Sequence, residues 1–258
     1  MRCQPKNLSR SGAATVSDEF DEIVGDIDDE LDLTLYTDSD ELAEEVTAQI
    51  LLAIESGLLA QGEFHLVLTG GTLGLQISQS LVGAFNSAPE LYQGLHIWFS
   101  DERFVDLESA ERNAAPWHGT LRNSNIVVHE ALAPNSPATI EDAVIDYERA
   151  LEGVEIDLNI LGLGPDGHVA SLFPGIADID DQRKIFAITD SPKPPAVRIS
   201  FTMKFLNASR EVWIVAAGEG KADAVGKIIE GDLSIPASYV SAQVRTRLIV
   251  DQAAFFTE

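Results

Sequence analysis

The sequence is poor in cysteine and in positive charge, and it has no long apolar run. Cys3 is the only cysteine among 258 residues, which excludes a disulfide framework and a multi-cysteine metal site. The 17 Lys and Arg face 42 Asp and Glu, so the formal net charge is −25. Such a field repels phosphate backbones, and we expect neither a nucleic-acid nor a membrane partner. No apolar run approaches the roughly 18 residues that a membrane-spanning helix needs.

The rest of the composition is typical of a globular domain. Hydrophobic residues make up 45% of the chain and charged residues 23%, both ordinary values. The length suits one large α/β domain or two small ones. We predict one domain, because no linker or internal repeat follows residue 30. We expect a cytoplasmic protein that is a monomer or a weak homodimer.

The first 30 residues differ in composition from the rest of the chain. Residues 1–17 contain three bases and no acid, whereas residues 18–30 are dominated by acids. A targeting peptide is the alternative interpretation, but the segment lacks the apolar core of a secretory signal and a clear amphipathic face. We predict a disordered acidic leader over residues 1–30 and a folded domain over residues 31–258.

From residue 31 onward, short apolar runs alternate with segments of helical periodicity. The predicted strands are Leu33–Tyr36, Phe64–Leu68, Leu95–Phe99, Ile156–Leu161, Val212–Ala216 and Arg247–Val250. The predicted helices are one capped within Asp38–Asp40 and broken by Gly57 and Gly62, followed by Leu75–Phe85, Ile140–Leu151 and Lys221–Ile229. This alternation indicates a doubly wound, mainly parallel sheet with helices on both faces, a Rossmann-like three-layer α/β fold.

The most informative segment is GLGPDGHVASLFPG, which directly follows an apolar strand. Ligands of open α/β sheets bind beyond the carboxyl ends of such strands, where this turn is expected. His168 is therefore a candidate general base near neutral pH, with Asp166 beside it to shape the turn or orient the imidazole. The alternative is a surface turn in which His168 only caps the next segment. The surrounding glycines and Pro165 favour the catalytic interpretation.

A second turn has the composition of a phosphate cradle. LVLTGGTLG runs from a strand through Gly70, Gly71 and Thr72 into a helix. Glycines let the backbone approach a ligand closely, and a helix N-terminus offers free N–H groups. The turn has neither the dinucleotide fingerprint nor the Walker spacing, and two glycines also serve turn geometry alone.

Charged residues in three further segments are candidate ligand-binding groups. In IWFSDERFV, Asp101 and Arg103 follow a strand, and a guanidinium suits a carboxylate, a phosphate or an oxyanion. A solvated helix start is the alternative. Arg198 in VRISFT and Lys221 after a glycine turn are candidate phosphate ligands, although a first-turn Lys pointing into water fits Lys221 equally well. Since no His/Asp/Glu grouping has metal-ligand spacing, we expect neither a metal nor a cofactor.

Taken together and in this order, these segments resemble the 6-phosphogluconolactonase family over residues 31–258. The resemblance rests on the GGT turn, DERFV, GLGPDGHVASLFPG, RISFT, GEGKADAV and IPAS. It implies hydrolysis of 6-phospho-D-glucono-1,5-lactone to 6-phosphogluconate, the second step of the oxidative pentose phosphate pathway, without a metal or a cofactor. Val169, Arg112 and Asp106 depart from the family pattern, in which Thr, Ser and Pro are usual.

The resemblance also implies residue roles. His168 would deprotonate water, Arg103 would stabilise developing negative charge, and Asp101 would contact the substrate. The phosphate would lie among Gly70, Gly71, Thr72, Arg198 and Lys221. Glucosamine-6-phosphate deaminases of the same superfamily resemble the chain as well, but their acid after DGH is missing here. A non-catalytic sugar-phosphate sensor is the other alternative, and the presence of His168 opposes it.

Overall fold

The computed structural model describes residues 31–121, 125–134 and 138–256. The predicted leader, residues 1–30, lies outside the described residues. The strands are β1 (Leu31–Tyr36), β2 (Phe64–Leu68), β3 (Leu95–Phe99), β4 (Asp101–Arg103), β5 (Val127–Val128), β6 (Leu158–Gly162), β7 (Ile185–Ile188), β8 (Arg198–Phe201), β9 (Glu211–Ala216) and β10 (Arg245–Asp251). The helices are α1 (Ser39–Gln61), α2 (Gly71–Ser87), α3 (Ile140–Ala150), α4 (Met203–Asn207), α5 (Ala222–Ile229) and α6 (Gln252–Phe255).

Seven strands form one parallel sheet in the order β1-β10-β9-β6-β2-β3-β5. Successive residues of a strand point to opposite faces, so Leu66 and Val67 of β2 belong to two different apolar clusters. Helices α1 and α2 cover the face of Leu66, and α3 and α5 cover the face of Val67. The predicted three-layer α/β fold is confirmed. No helix of the described residues is both long and apolar enough to cross a membrane.

A second sheet, antiparallel and ordered β4-β8-β7, was not predicted. Its strands have only three or four residues, too few for a pattern to stand out: β4 is polar, β7 is apolar throughout, and the alternation in β8 covers four residues. The chain enters it directly from the parallel sheet, since β3 ends at Phe99 and β4 begins at Asp101. In the register of β4 and β8, Arg103 lies opposite Arg198. The small sheet therefore brings two predicted site segments together at the carboxyl edge of the large one.

Helix α1 has the predicted N-cap, Asp38, and it ends at Gly62 as predicted. It is not broken at Gly57. The Asp38 side chain accepts the N–H groups of Asp40 and Glu41 at 3.0 and 2.9 Å. The helix runs through Gly57 and ends at Gly62, whose φ of 79° is easily adopted only without a side chain. A Cβ at Gly57 would lie 2.2 Å from the Phe64 ring. Gly57 is therefore not a helix breaker, and it allows the strand to pack closely against the helix.

Candidate active site

The carboxyl ends of β2, β6, β9 and β10 border a cavity of about 400 Å³. The predicted turn Gly70–Gly71–Thr72 lines it, and so does Lys221. Helix α2 begins at Gly71 with no side-chain cap among the described residues, so its first-turn N–H groups remain available to an anion. The structure thus brings a cation and a helix N-terminus to one space.

Lys221 is held at the edge of this cavity rather than pointing into water. Its Nζ donates a hydrogen bond to the Leu163 carbonyl at 2.6 Å. Burial lowers the pKa of Lys221, the nearby Lys193 lowers it further, and Asp166 opposes the shift. Lys221 precedes α5, because residues 219–221 form a 3₁₀ turn, which corrects the predicted helix start by one residue.

The glycines of the His168 turn allow the imidazole to lie against the backbone. The Gly164 N–H donates to the His168 carbonyl at 2.8 Å, and the Gly167 N–H donates to the Gly164 carbonyl at 2.9 Å. A Cβ at Gly164 would lie 1.9 Å from Nδ1 of His168. On the other side the imidazole packs on Phe173, with ring centroids 4.7 Å apart. The turn therefore holds the ring against Gly164, and the residue before it, Leu163, lines the cavity.

Asp166 fixes the tautomer of His168. The carboxylate oxygen Oδ1 is hydrogen-bonded to Nδ1 of the imidazole, and a carboxylate can only accept. The proton therefore lies on Nδ1, and the lone pair lies on Nε2. Burial lowers the pKa of His168, and Lys193 lowers it too, while Asp166 raises it. Burial raises the pKa of Asp166, but its bonds to His168 and Lys193 outweigh this and bring it to about 2.

Lys193 completes this group, and the sequence analysis missed it. Its Nζ lies 3.2 Å from Oδ1 of Asp166 and 3.2 Å from Nδ1 of His168. The residue sits in a Pro-rich loop between β7 and β8, where no strand-to-helix turn marks it. Its place directly before Pro194 and Pro195, close to the RISF strand, is the one sequence signal that could have suggested it.

Arg198 and Asp101 do not line the cavity, and their contact with substrate stays a prediction. The Arg198 Nε and NH2 groups donate to the carbonyls of residues 193–195 at 3.0 Å each. The Asp101 carboxylate accepts from Ser171 Oγ at 2.6 Å and from Asn113 Nδ2 at 2.9 Å. Both side chains are buried and occupied by the protein itself. Arg198 holds the loop that carries Lys193, and Asp101 joins β4 to the segment after His168.

Arg103 lies next to the glycine turn. Its NH1 donates to the Glu111 carbonyl at 2.6 Å and to Oδ1 of Asn113 at 2.7 Å. The same Oδ1 lies against Gly70, where a Cβ would approach it to 1.9 Å. The buried Nε of Arg103 has no hydrogen-bond partner in the described part of the chain. This nitrogen is itself buried, so what Arg103 brings to the turn is the positive charge of the guanidinium rather than a free Nε–H group.

A different histidine group lies at the opposite edge of the sheet. Glu63 Oε1 is 3.3 Å from His65 Nε2 and 3.2 Å from His96 Nε2, and within the described ranges these three form the one group with metal-like spacing. The Trp98 indole N–H donates to His65 Nδ1 at 3.0 Å. His65 must then carry its proton on Nε2, pointing at Glu63. This arrangement favours a hydrogen-bonded chain over a metal site.

A cleft with a larger volume, about 740 Å³, also lies at the amino ends of the strands. Its Arg183 pairs with Asp181 at 2.6 Å, and its Lys184 donates to the Leu151 carbonyl at 2.7 Å. No predicted site residue lines this cleft. By volume alone this cleft would be the candidate site. The uncapped N-terminus of α2 and the Lys221 ammonium, however, lie at the smaller cavity.

Comparison with known proteins finds relatives over most of the chain. The family model for glucosamine-6-phosphate isomerases and 6-phosphogluconolactonase matches residues 37–250. A 6-phosphogluconolactonase of Streptomyces coelicolor is 32% identical over 241 residues, covering 86% of this chain and 92% of the relative. One of Rattus norvegicus is 38% identical over 208 residues, covering 75% and 80%.

Solved structures of similar fold also cover most of the chain. The 6-phosphogluconolactonase of Thermotoga maritima matches with a TM-score of 0.73 at 27% identity, covering 86% of this chain and 100% of its own. A monomeric glucosamine-6-phosphate deaminase matches with a TM-score of 0.69 at 18% identity. At that identity the second likeness shows the fold alone.

Proposed function

Because the chain belongs to the glucosamine-6-phosphate isomerase and 6-phosphogluconolactonase family, we propose that it hydrolyses 6-phospho-D-glucono-1,5-lactone, with His168 activating the attacking water. Relatives named 6-phosphogluconolactonase, 32% and 38% identical over most of the chain, make it an enzyme of that class. The observation that carries the proposed mechanism is the imidazole of His168. Its Nδ1 is bonded to Asp166, and its ring lies against Gly164, which directly follows the cavity-lining residue Leu163.

The phosphate anchors the substrate in this proposal. It lies against the first-turn N–H groups of α2, the Thr72 hydroxyl and the Lys221 ammonium. Phosphate binding is remote from the ester, so its binding energy serves to orient the lactone toward His168. The cavity of about 400 Å³ falls within the usual volume range of small-molecule sites.

The reaction needs one proton carrier. Nε2 of His168 takes a proton from water as the water oxygen bonds to the lactone carbonyl carbon. Negative charge develops on the carbonyl oxygen, and the Arg103 guanidinium beside the glycine turn is the positive charge proposed to stabilise it. The C–O bond of the ring then breaks, and the imidazolium returns its proton to the leaving ring oxygen. The products are the carboxylic acid, which ionises, and a free hydroxyl group.

Asp166 and Lys193 both lie at Nδ1 of His168, the ring nitrogen that does not take up the proton of water, and they act on the tautomer and the charge of the ring. Asp166 holds the proton on Nδ1 and stabilises the imidazolium that forms during the reaction. Lys193 lies 3.2 Å from both groups, so its charge keeps His168 neutral and Asp166 ionised before the substrate reacts. The pair thus sets both the tautomer and the protonation state in which His168 is a base.

The phosphate anchor can be tested with a pair of lactones. Lys221→Ala should raise KM for freshly generated phosphorylated lactone roughly 10- to 150-fold, since a charge-assisted hydrogen bond contributes about 1.5–3 kcal/mol. Hydrolysis of unphosphorylated gluconolactone should change little. Rates are corrected for spontaneous hydrolysis. Lys227→Ala, on the exposed face of α5 and paired with Asp223, is the matched control and should behave like the wild type.

Two outcomes would contradict the proposal. An equal proportional loss on both lactones would remove Lys221 from the phosphate site. Release of ammonia from glucosamine 6-phosphate, with no lactone hydrolysis above the spontaneous rate, would overturn the assigned reaction. We do not expect ammonia release, because Ser171–Pro174 supply no acid after the His168 turn.

A further inference from the structure

Arg112 is a fully buried arginine close to the candidate active site. Its side chain has 0% exposure, and its NH2 donates to the Ala131 carbonyl at 2.6 Å. Its Nε and NH1 have no hydrogen-bond partner in the described part of the chain. Such a charge is costly to bury unless a counter-charge lies close to it.

Two carboxylates supply counter-charges: Glu130, whose Oε2 lies 3.8 Å from NH2 of Arg112, and the more deeply buried Glu102. Its Oε2 lies 3.8 Å from Nε of Arg112, and its own side chain is only 2% exposed. The Glu102 carboxylate accepts the N–H groups of Arg103, Asn113 and Ala114 at 2.8, 2.7 and 3.0 Å. It therefore joins β4 to the loop after that strand, with the Arg112 charge beside it.

The loop residue that Glu102 holds is the one that orients Arg103. Nδ2 of Asn113 donates to the carbonyl and carboxylate oxygens of Asp101 at 2.8 and 2.9 Å. These bonds fix which end of the amide faces Arg103, so Oδ1 is the acceptor for NH1 at 2.7 Å. The contacts thus run without a gap from Arg112 through Glu102 and Asn113 to Arg103.

We propose that Arg112 is a positioning residue for the reaction: paired with Glu102, it fixes Asn113 and thereby the direction of the Arg103 guanidinium at the reacting end of the substrate. This inference rests on the proposed role of Arg103 and adds a residue to it.

The effect of losing Arg112 should fall on the chemical step. Arg112→Ser leaves Glu102 buried without its counter-charge, and the loop that aims Arg103 loses its fixed support. A misplacement of about 1 Å can cost about 100-fold in rate, so we expect kcat to fall roughly 10- to 100-fold. KM for the phosphorylated lactone should change less, because Lys221 and the glycine turn remain. Arg112→Lys, which keeps the charge, should recover part of the kcat.

A double-mutant cycle with Arg103 separates positioning from general destabilisation. If Arg112 acts through Arg103, adding Arg112→Ser to Arg103→Ala should cause no further loss of kcat. The proposal would be overturned if Arg112→Ser lowered kcat by the same factor in the Arg103→Ala variant as in the wild type. Arg149→Ser, at the exposed end of α3, is the control for loss of an arginine and should leave kcat unchanged.

Asn113→Ala keeps the proposal falsifiable if Arg112→Ser does not fold. It retains the Arg112–Glu102 ion pair and removes the Asn113 amide, with its acceptor for Arg103 and its two bonds to Asp101, so it should show the same loss of kcat and the same non-additivity. Additive losses for Asn113→Ala would again overturn the proposal. A wild-type chain without lactonase activity would contradict the proposed function instead, so the two failures are distinguishable.

Discussion

At the residue scale, two charged side chains act on His168 in opposite directions. Burial lowers the pKa of the imidazole below its usual 6.5, Lys193 adds to that shift, and Asp166 opposes it. A protonated imidazole cannot accept the proton of water. The acid limb of kcat/KM should therefore lie below pH 6.5, where His168 becomes protonated.

Substitution of Lys193 and of Asp166 should shift the acid limb of kcat/KM in opposite directions along the pH axis. Lys193→Gln removes a group that lowers the pKa of His168, so the limb should move to higher pH. Asp166→Asn removes a group that raises that pKa, so the limb should move to lower pH. The Asn variant should also lose kcat on the plateau, because the tautomer is no longer fixed. The measurement is the pH profile of kcat/KM for each variant.

Lys227→Gln is the charge control for this pair, and its profile should match that of the wild type. Limbs that move in the same direction for Lys193→Gln and Asp166→Asn would show that a group other than His168 controls the limb.

The sequence located the turns that come directly after parallel strands, and it could not locate residues where another element intervenes. The turns of Gly70 and His168 both follow strands of the large sheet, so the rule for carboxyl edges located them. Arg198 and Asp101 belong to the small antiparallel sheet, whose geometry that rule does not describe. Lys193 lies in a Pro-rich loop with no periodicity, and only the fold brings it to His168.

At the element scale, the close contact between the glycine turn and the β4 loop determines how Arg103 is placed. Gly70 has an ordinary backbone conformation, with φ −90°, so conformational freedom does not explain it. A side chain is excluded by Oδ1 of Asn113, which a Cβ would approach to 1.9 Å. The β2–α2 turn and the β4 loop therefore fit together only with glycine at this position.

Two Gly→Ala substitutions near or within α2 test this contact. Gly70→Ala should displace Asn113 and with it Arg103, lowering kcat/KM by about 10-fold or more. Gly83→Ala, at an exposed position with nothing within 4 Å of the added Cβ, should leave kcat/KM unchanged. It should also stabilise the protein by about 0.5–1 kcal/mol, because alanine is the better helix former. Kinetics and thermal unfolding of both variants are the measurements.

If Gly70→Ala keeps normal kcat/KM, Asn113 can move without disturbing Arg103, and the proposed link between the two elements is wrong.

Elements with clear periodicity were predicted well, and the shortest strands were not. The bounds of β2 and β3 agree with their predictions, and β6 differs from its prediction by two residues at its start. The strands β4, β7 and β8 have three or four residues each and were missed. Gly57 was wrongly predicted to break α1, because a glycine that allows close packing looks the same in sequence as one that ends a helix.

At the scale of the whole molecule, the net charge and the local charge act against each other. A chain of −25 repels a phosphorylated substrate at long range. Lys221 lies on the cavity, and Lys193 and Arg103 lie beside it. Charge beyond a Debye length of about 8–10 Å is largely screened. In the proposed function, these nearby cations determine the electrostatic potential at the bound phosphate. Lys221 and the His168 turn follow the neighbouring parallel strands β9 and β6.

Replacement of His168 tests the central claim most directly. His168→Gln should lower kcat for freshly generated 6-phosphogluconolactone by about 10²- to 10⁴-fold, the usual contribution of a positioned general base. Binding of 6-phosphogluconate should remain near the wild-type level, because the phosphate anchor is untouched. His96→Gln, at the opposite edge of the sheet, serves as the control and should keep its kcat. A His168→Gln variant that binds 6-phosphogluconate normally and keeps a near-normal kcat would contradict the account.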